Sequence, residues 1–152
     1  MKSYHHNMLR EISTFGDSTL EQKVSPADSF LPQANSILEL GVDYFGIINQ
    51  HGKLEAVIFK NDISLSKEKK DMLCMGLRLQ SSMQCDFDEE LGPVSYTLTE
   101  RNNTKFVSIP FSSYTILTVM NKEINHSAII KKTKSILRKF NDKKKFSKSM
   151  AY

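Results

Sequence analysis

The sequence predicts a small α/β domain whose elements follow the order α-β-β-α-β-β-β-α. Between Tyr44 and Leu137 the hydrophobic pattern changes period four times, and clusters of turn-forming residues separate the segments. The longest helical pattern falls between two groups of strands. With 152 residues, of which 39% are hydrophobic and 25% charged, the chain is large enough for one domain with its own core.

The first 30 residues are polar, and we expect residues 1–30 to form an N-terminal arm. Within the arm, Met8, Ile12 and Phe15 have the spacing of one short amphipathic helix that ends at Gly16. The domain itself is expected to span residues 31–140.

A helix is expected to begin at Ser25-Pro26, because serine is a good N-cap and proline suits the first helical position. We expect Pro32 to interrupt it, since proline inside a helix removes a hydrogen bond. A helical segment then runs from about Gln33 to Leu40 and ends at Gly41.

A hairpin follows this helix. Residues 44–48 are apolar on both faces, which is typical of a strand covered on both sides. Residues 49–52 carry turn chemistry, with a glycine at the end that tolerates positive φ. The second strand of the hairpin is predicted over residues 54–59.

The longest helix is predicted from its cap at Ser66 to about Phe87. At 100° per residue its apolar residues form one stripe, which we expect to face the core. The members of the stripe are Met72, Gly76, Leu79, Met83 and Phe87, widened by Leu73, Met75 and Leu77. The opposite face is small and neutral, and it contains Asp71, Cys74, Arg78, Ser81 and Cys85.

Three strands and a helix complete the domain. Residues 94–99 alternate between apolar and hydroxylated side chains with the period of a half-buried strand. Further strands are predicted over 106–109 and 114–120, and Asn125 caps a helix that ends near Phe140. Residues 141–152 have the composition of a basic, flexible tail.

No motif for catalysis, phosphate binding or metal binding stands out. The glycines are too scattered for a phosphate loop, and no serine lies in a nucleophile-elbow motif. The histidines lack the partners of a zinc site, and the acids of residues 86–90 lack the ligand pattern of a calcium loop. We therefore predict a protein that is not an enzyme and that needs no cofactor or metal.

The sequence has neither a long apolar segment nor the apolar core of a signal peptide at its start. We therefore expect a cytoplasmic protein without a transmembrane segment. Cys74 and Cys85 lie too far apart along one helix to form a disulfide within the chain.

The net charge of +4 is distributed unevenly. From Ala128 onward there are nine cations and one acid, so the body of the protein is mildly acidic. The cations are Lys131, Lys132, Lys134, Arg138, Lys139, Lys143, Lys144, Lys145 and Lys148. All but the last are candidate anion-binding residues, for nucleic acid or for an anionic membrane, although a solvated helix face has the same pattern.

The element order resembles the Roadblock/dynein-light-chain type of domain, which is related to the profilin and longin folds. The resemblance covers roughly residues 33–140. Within it, residues 78–83 (Arg-Leu-Gln-Ser-Ser-Met), residues 86–92 (Asp-Phe-Asp-Glu-Glu-Leu-Gly) and Ile109-Pro110 resemble a small uncharacterised archaeal family.

The resemblance implies a five-stranded antiparallel sheet with helices on both faces, and a regulatory or scaffolding homodimer without catalysis. It also implies a protein partner, such as a small GTPase. The N-terminal arm and the lysine-rich C-terminal segment depart from the family pattern, so partners do not transfer directly.

The pattern of charges indicates where a second copy would bind. If the strands join in the Roadblock order, residues 53–60 and 94–100 form the two edges of the sheet. Only the first edge carries lysines, since none occurs between Lys70 and Lys105. An edge strand without charged side chains can pair with a strand of another chain. We therefore predict a dimer interface formed by the edge strand and the neutral helix face: Cys74, Arg78, Ser81, Cys85, Ser95, Thr97 and Thr99.

Two alternatives remain open. A small sensor domain of the GAF or PAS type shares the element order, and it would enclose a ligand pocket with convergent polar groups. A nucleic-acid or membrane-surface binder would act through the basic residues 131–148.

Overall fold

The structure is a computed structural model that describes the backbone of residues 8–9 and 26–150 and the side chains of residues 29–141. The strands are β1 (Met8–Leu9), β2 (Val42–Ile48), β3 (Leu54–Phe59), β4 (Thr97–Glu100), β5 (Lys105–Phe111) and β6 (Tyr114–Met120). The helices are α1 (Pro26–Leu38), α2 (Lys67–Gln84), α3 (Asp88–Leu91) and α4 (His126–Met150). A single 3-10 turn, Cys85–Phe87, connects α2 to α3.

All six strands form one antiparallel sheet in the order β1-β3-β2-β6-β5-β4. The predicted five-stranded antiparallel sheet with helices on both faces is confirmed by β2 to β6. The two groups of strands join where β2 pairs with β6, in the middle of the sheet.

The sixth strand, β1, differs from the predicted structure of the arm. Met8 lies opposite Ile58 and Leu9 opposite Val57, so this segment pairs with β3 and covers that edge of the sheet. Met8 is therefore in a strand rather than on the predicted short helix. The sequence does not reveal this strand, because two residues are too few to show an alternating pattern. Positions 12–16 of that helix lie outside the described residues.

The first helix runs without a break through Pro32, contrary to the predicted interruption. Pro32 is exposed, and the residues around it anchor the helix, because Phe30, Leu31 and Ala34 are buried in the core. Tertiary packing of this kind can outweigh the hydrogen bond that proline removes. The helix begins at Pro26, within the segment expected to belong to the arm.

Two glycines fix turns around β2. Gly41 has a φ of +112°, and Ile124 Cδ1 lies 2.7 Å from the position that a Cβ would occupy, so a larger residue fits neither the backbone nor the space. Gly52, with a φ of +78°, lies in the turn of the predicted hairpin, where its N–H donates to Asn49 O.

The sheet separates two apolar clusters. On one face α1 and α4 pack against residues such as Phe45, Ile47 and Val107. On the other face α2 covers a smaller cluster that includes Tyr44, Val57 and Leu117.

The ends of two elements differ from the prediction. Strand β4 begins at Thr97 rather than at Val94. Helix α4 begins with Asn125 Oδ1 accepting from Ser127 N and Ala128 N, as predicted, but it continues to Met150 instead of ending near Phe140. No glycine or proline follows Phe140 to end the helix, so residues 141–150 of the expected tail are helical, and residues 151–152 lie outside the described residues.

Candidate partner-binding surface

Helix α2 exposes the apolar side chains that its sequence pattern assigned to the core. They recur every three or four residues and form an outer stripe of Met72, Met75, Leu79 and Met83 on α2, with Phe87 of the following 3-10 turn. The exposed fractions are 70% for Met72, 55% for Leu79 and 67% for Met83. A row of large apolar side chains left in water is typical of a binding surface.

The opposite face of α2 packs against the sheet. Cys74 and Leu77 are buried, and Leu73, Arg78 and Ser81 are half-buried. The orientation therefore differs from the prediction in part. Most of the expected core stripe is directed outward, whereas Leu73 and Leu77 of that stripe face inward together with Cys74.

Close contact with the β2–β3 turn explains why a small face is directed inward. A Cβ on Gly52 would lie 3.2 Å from Met75 Cα, so the backbone of α2 lies almost directly on this turn. The side chain of Arg78 then donates from Nε to the carbonyl oxygen of Gln50 at 3.2 Å. Bulky residues on this face would push the helix away from the sheet.

The two cysteines have different environments. Burial, together with the nearby Asp71 carboxylate, raises the pKa of the Cys74 thiol to about 11, although Lys70 opposes the shift. Cys74 packs within its own chain, and its predicted place in a dimer interface stays a prediction. Cys85 is exposed at the end of α2, and both thiols are free.

Strand β4 is the open edge of the sheet. Among the described strands it has only β5 as a neighbour. The N–H of Arg101 donates to Thr104 O in the adjoining turn, and backbone direction alternates along a strand. The N–H groups of Thr97 and Thr99 therefore point toward β5, whereas those of Leu98 and Glu100 point to the open edge.

The predicted interface residues on this segment occupy two different positions. Thr97 and Thr99 are half-buried within β4, and their side chains lie on the face of the sheet that α2 covers. Ser95 precedes the strand and is exposed, and its Oγ accepts a hydrogen bond from Lys134 Nζ of α4. The structure thus brings Thr97 close to Ser81 of α2, while it separates Ser95 and Cys85 from that contact.

The candidate anion-binding residues of α4 differ in their exposure to solvent. Lys131, Lys132, Arg138 and Lys139 are exposed, and Lys134 is half-buried where it contacts Ser95. Lys143, Lys144 and Lys145 lie in the helix beyond the residues whose side chains are described. Whether this surface binds phosphates stays a prediction.

The described part of the chain offers no cluster of three or more His, Cys, Asp and Glu side chains arranged for a metal ion. His126, which had no predicted partner, lies 2.9 Å from the buried Lys105 through its Nδ1 and the Nζ of the lysine. None of the described helices combines the length and apolar composition that crossing a membrane requires.

Comparison with solved structures identifies the fold. A Roadblock/LC7 domain from Streptomyces avermitilis matches with a TM-score of 0.56 and 10% identity, covering 71% of this chain and 91% of the other. The gliding protein MglB from Thermus thermophilus matches with a TM-score of 0.59 and 11% identity, covering 80% and 93%.

A third structure, MglB in a tetrameric arrangement, matches with a TM-score of 0.61 and 11% identity, covering 82% of this chain and 94% of the other. No protein-family model and no curated protein matches the sequence. The resemblance to a Roadblock fold is therefore confirmed at the level of structure, and the likeness to an archaeal family stays a prediction.

Proposed function

Because the chain has the Roadblock/LC7 fold and an uncovered apolar helix face, we propose that it is a non-catalytic regulatory homodimer. The observation that carries this proposal is the outer stripe of α2. None of its five large side chains belongs to the two apolar clusters that flank the sheet, and each is more than a third exposed. Such a surface is stable in water when a partner covers it.

A second copy of the chain fits this surface better than an unrelated protein does. The outer stripe and the open edge β4 are separated in the chain only by α3 and a short loop, which carry the exposed Leu91 and Tyr96. Around a two-fold axis, β4 would pair with its own copy through Leu98 and Glu100 while the two outer stripes pack together. This arrangement would extend the sheet across the dimer.

The predicted interface is revised accordingly. The dimer uses the outer stripe in place of Cys74, Arg78 and Ser81, and it keeps the strand that contains Thr97 and Thr99. Cys85 lies at the border of the stripe. The solved structure of MglB in a tetrameric arrangement, which has a similar fold, supports the proposal of self-association.

Regulation through a further protein partner is part of the proposal. A small GTPase is the partner class that the resemblance implies, and the exposed cations of α4 offer a surface away from the two-fold axis for such a contact. Within this proposal the protein acts inside the cytoplasm and carries no active site.

Replacing Leu79 by glutamate tests the proposal. Leu79 lies at the centre of the outer stripe, so a dimer would bury an unpaired carboxylate there. Such a change costs about 3 kcal/mol, which corresponds to a dissociation constant raised roughly 100-fold. Sedimentation equilibrium of both proteins over the same concentration range measures this change.

Leu40→Glu is the matched control, because Leu40 is 46% exposed and lies after α1, away from the outer stripe. We expect this variant to associate as the parent protein does. Equal dissociation constants for Leu79→Glu and the parent would contradict the proposal, and circular dichroism verifies that both variants are folded.

A further inference from the structure

A cavity of about 670 Å³ lies beside the first turns of α2, on the face of the sheet that this helix covers. Pockets that bind small molecules have volumes of this order, roughly 300–1,000 Å³. The cavity is separate from the outer stripe, since its two lining residues on α2, Lys69 and Leu73, do not belong to that stripe. It therefore requires an explanation beyond dimer formation.

The floor of the cavity is apolar. Phe106 on β5 lies directly opposite Val119 on β6, and Leu73 of α2 adjoins them. Both strand residues are 7% exposed. Together they form a surface on which a ring or a short hydrocarbon chain loses contact with water.

One wall is formed in advance by the loop between β3 and α2. The side chain of Asn61 donates to Asp43 Oδ1 at 2.9 Å, and Ile63 N donates to Asp62 Oδ1 at 2.8 Å. Both oxygens of the Asp62 carboxylate also accept hydrogen bonds from Lys70 Nζ, each at 2.9 Å. The carboxylates of both acids in the lining thus have partners within the chain, and their hydrogen bonds fix the loop.

The cations of the lining are differently placed. Lys69 and Arg101 are exposed, and among the described side chains neither forms an ion pair. The Arg101 guanidinium lies 6.0 Å from the centre of the Phe106 ring, directly beside the apolar floor. The positive charge next to the floor is therefore available to an anion from outside.

We propose that this cavity binds a small molecule with a flat apolar body and one carboxylate group. The body packs on Phe106, Val119 and Leu73, and the carboxylate interacts with Arg101, assisted by Lys69. A charge-assisted hydrogen bond to a guanidinium stabilises such a carboxylate in a fixed orientation. The site adds a ligand input to the regulatory function proposed above, and it does not depend on the dimer.

Titration with naphthoate, an aromatic carboxylate, tests the site in the full-length protein by heteronuclear NMR. We expect amide shifts at the cavity residues Leu73, Arg101 and Phe106. Naphthamide, which has the same body without the charge, should bind about tenfold more weakly. Arg101→Gln should weaken naphthoate binding by about the same factor and leave naphthamide binding unchanged.

Two further variants complete the test. Arg138→Gln removes an exposed arginine from α4, on the other face of the sheet, and should leave both affinities unchanged. Leu73→Trp should fill the cavity and abolish binding of both compounds. Without ligand, Arg101→Gln and Arg138→Gln should give the NMR spectrum of the parent protein, which shows that they are folded.

Three results would overturn the proposal. The first is equal affinity for naphthoate and naphthamide, and the second is a set of shifts confined to Met72, Leu79 and Met83, which would indicate adsorption to the outer stripe. The third is the absence of any shift up to the solubility limit of naphthoate. Each can be distinguished from failure of the dimer, because the dimer is measured by mass and the ligand by shifts in the cavity.

Discussion

At the scale of single residues, Cys74 and Cys85 lie on the same helical segment and have opposite environments. Cys74 is 4% exposed in the cluster beneath α2, whereas Cys85 is exposed. The sequence shows two neutral cysteines on one helix face and cannot distinguish them, because their burial depends on how α2 lies on the sheet. The raised pKa of Cys74 follows from the structure alone.

The Cys74 thiol should make the stability of the protein depend on alkaline pH. In the unfolded chain the thiol loses its proton near the ordinary cysteine pKa of 9.0, whereas the folded thiol keeps it up to a pKa of about 11. The contribution is fully present below pH 9 and is lost as the pH rises toward 11. We expect a loss of roughly 1–2 kcal/mol in the free energy of unfolding from this group.

Urea denaturation of the parent and of Cys74→Ala over this pH range measures the effect, since other groups titrate equally in both proteins. The variant should lose less stability at high pH, and the matched Cys85→Ala variant should behave as the parent does. Parallel pH profiles for Cys74→Ala and the parent would show that the thiol is not protected by burial.

At the scale of elements, the sequence pattern of α2 correctly predicts a helix but not which face of the helix packs against the sheet. Its length and its Ser66 cap follow from the sequence, and Lys69 N donates to Ser66 Oγ at 3.2 Å. A hydrophobic stripe identifies the apolar face of a helix, but it does not say which chain covers that face. Most apolar stripes pack against their own chain, and this one is directed outward.

Other elements are predictable to the extent that their pattern is local. The strands β2, β3, β5 and β6 are largely buried, and turn-forming residues bound their apolar runs, so their positions can be predicted from the sequence. Strand β1 has two residues, and the continuity of α1 through Pro32 depends on packing against the sheet. Neither feature has a signal within a short window of sequence. The cavity beside α2 is also beyond the sequence, since Leu73, Arg101 and Val119 converge only in the folded chain.

Gly76 allows a test at this scale. It lies among the residues of the outer stripe, and no atom lies within 4 Å of the position that its Cβ would occupy. Glycine inside a helix costs about 1 kcal/mol relative to alanine, and nothing within the described part of the chain requires it. In the proposed dimer, two α2 helices would cross closely at Gly76.

Gly76→Ala should therefore raise the stability of the isolated chain by about 1 kcal/mol and weaken self-association at the same time. Urea denaturation at low protein concentration measures the first effect and analytical ultracentrifugation the second. The control Ser127→Ala, in the first turn of α4, should change helix stability without affecting association. An unchanged or tighter dimer in Gly76→Ala would place the helix crossing elsewhere.

At the scale of the whole molecule, the two sides of the five-stranded sheet differ in whether a further strand pairs with them. The N-terminal strand β1 covers β3, while none of the described strands covers β4, on the side where the lysines are missing from the sequence. The positions of the lysines thus predict the open edge correctly. At the other edge they predict that charged side chains prevent further pairing, whereas the structure has the strand β1 paired there. The open edge and the outer stripe of α2 are what a two-fold partner would cover.

A second copy of this chain is expected to cover these surfaces, and on this expectation the proposed function depends. Sedimentation equilibrium of the parent protein at tens of micromolar tests it most directly. We expect a species with twice the 17.4 kDa mass of one chain. A single species with the mass of one chain throughout this range would contradict the dimer.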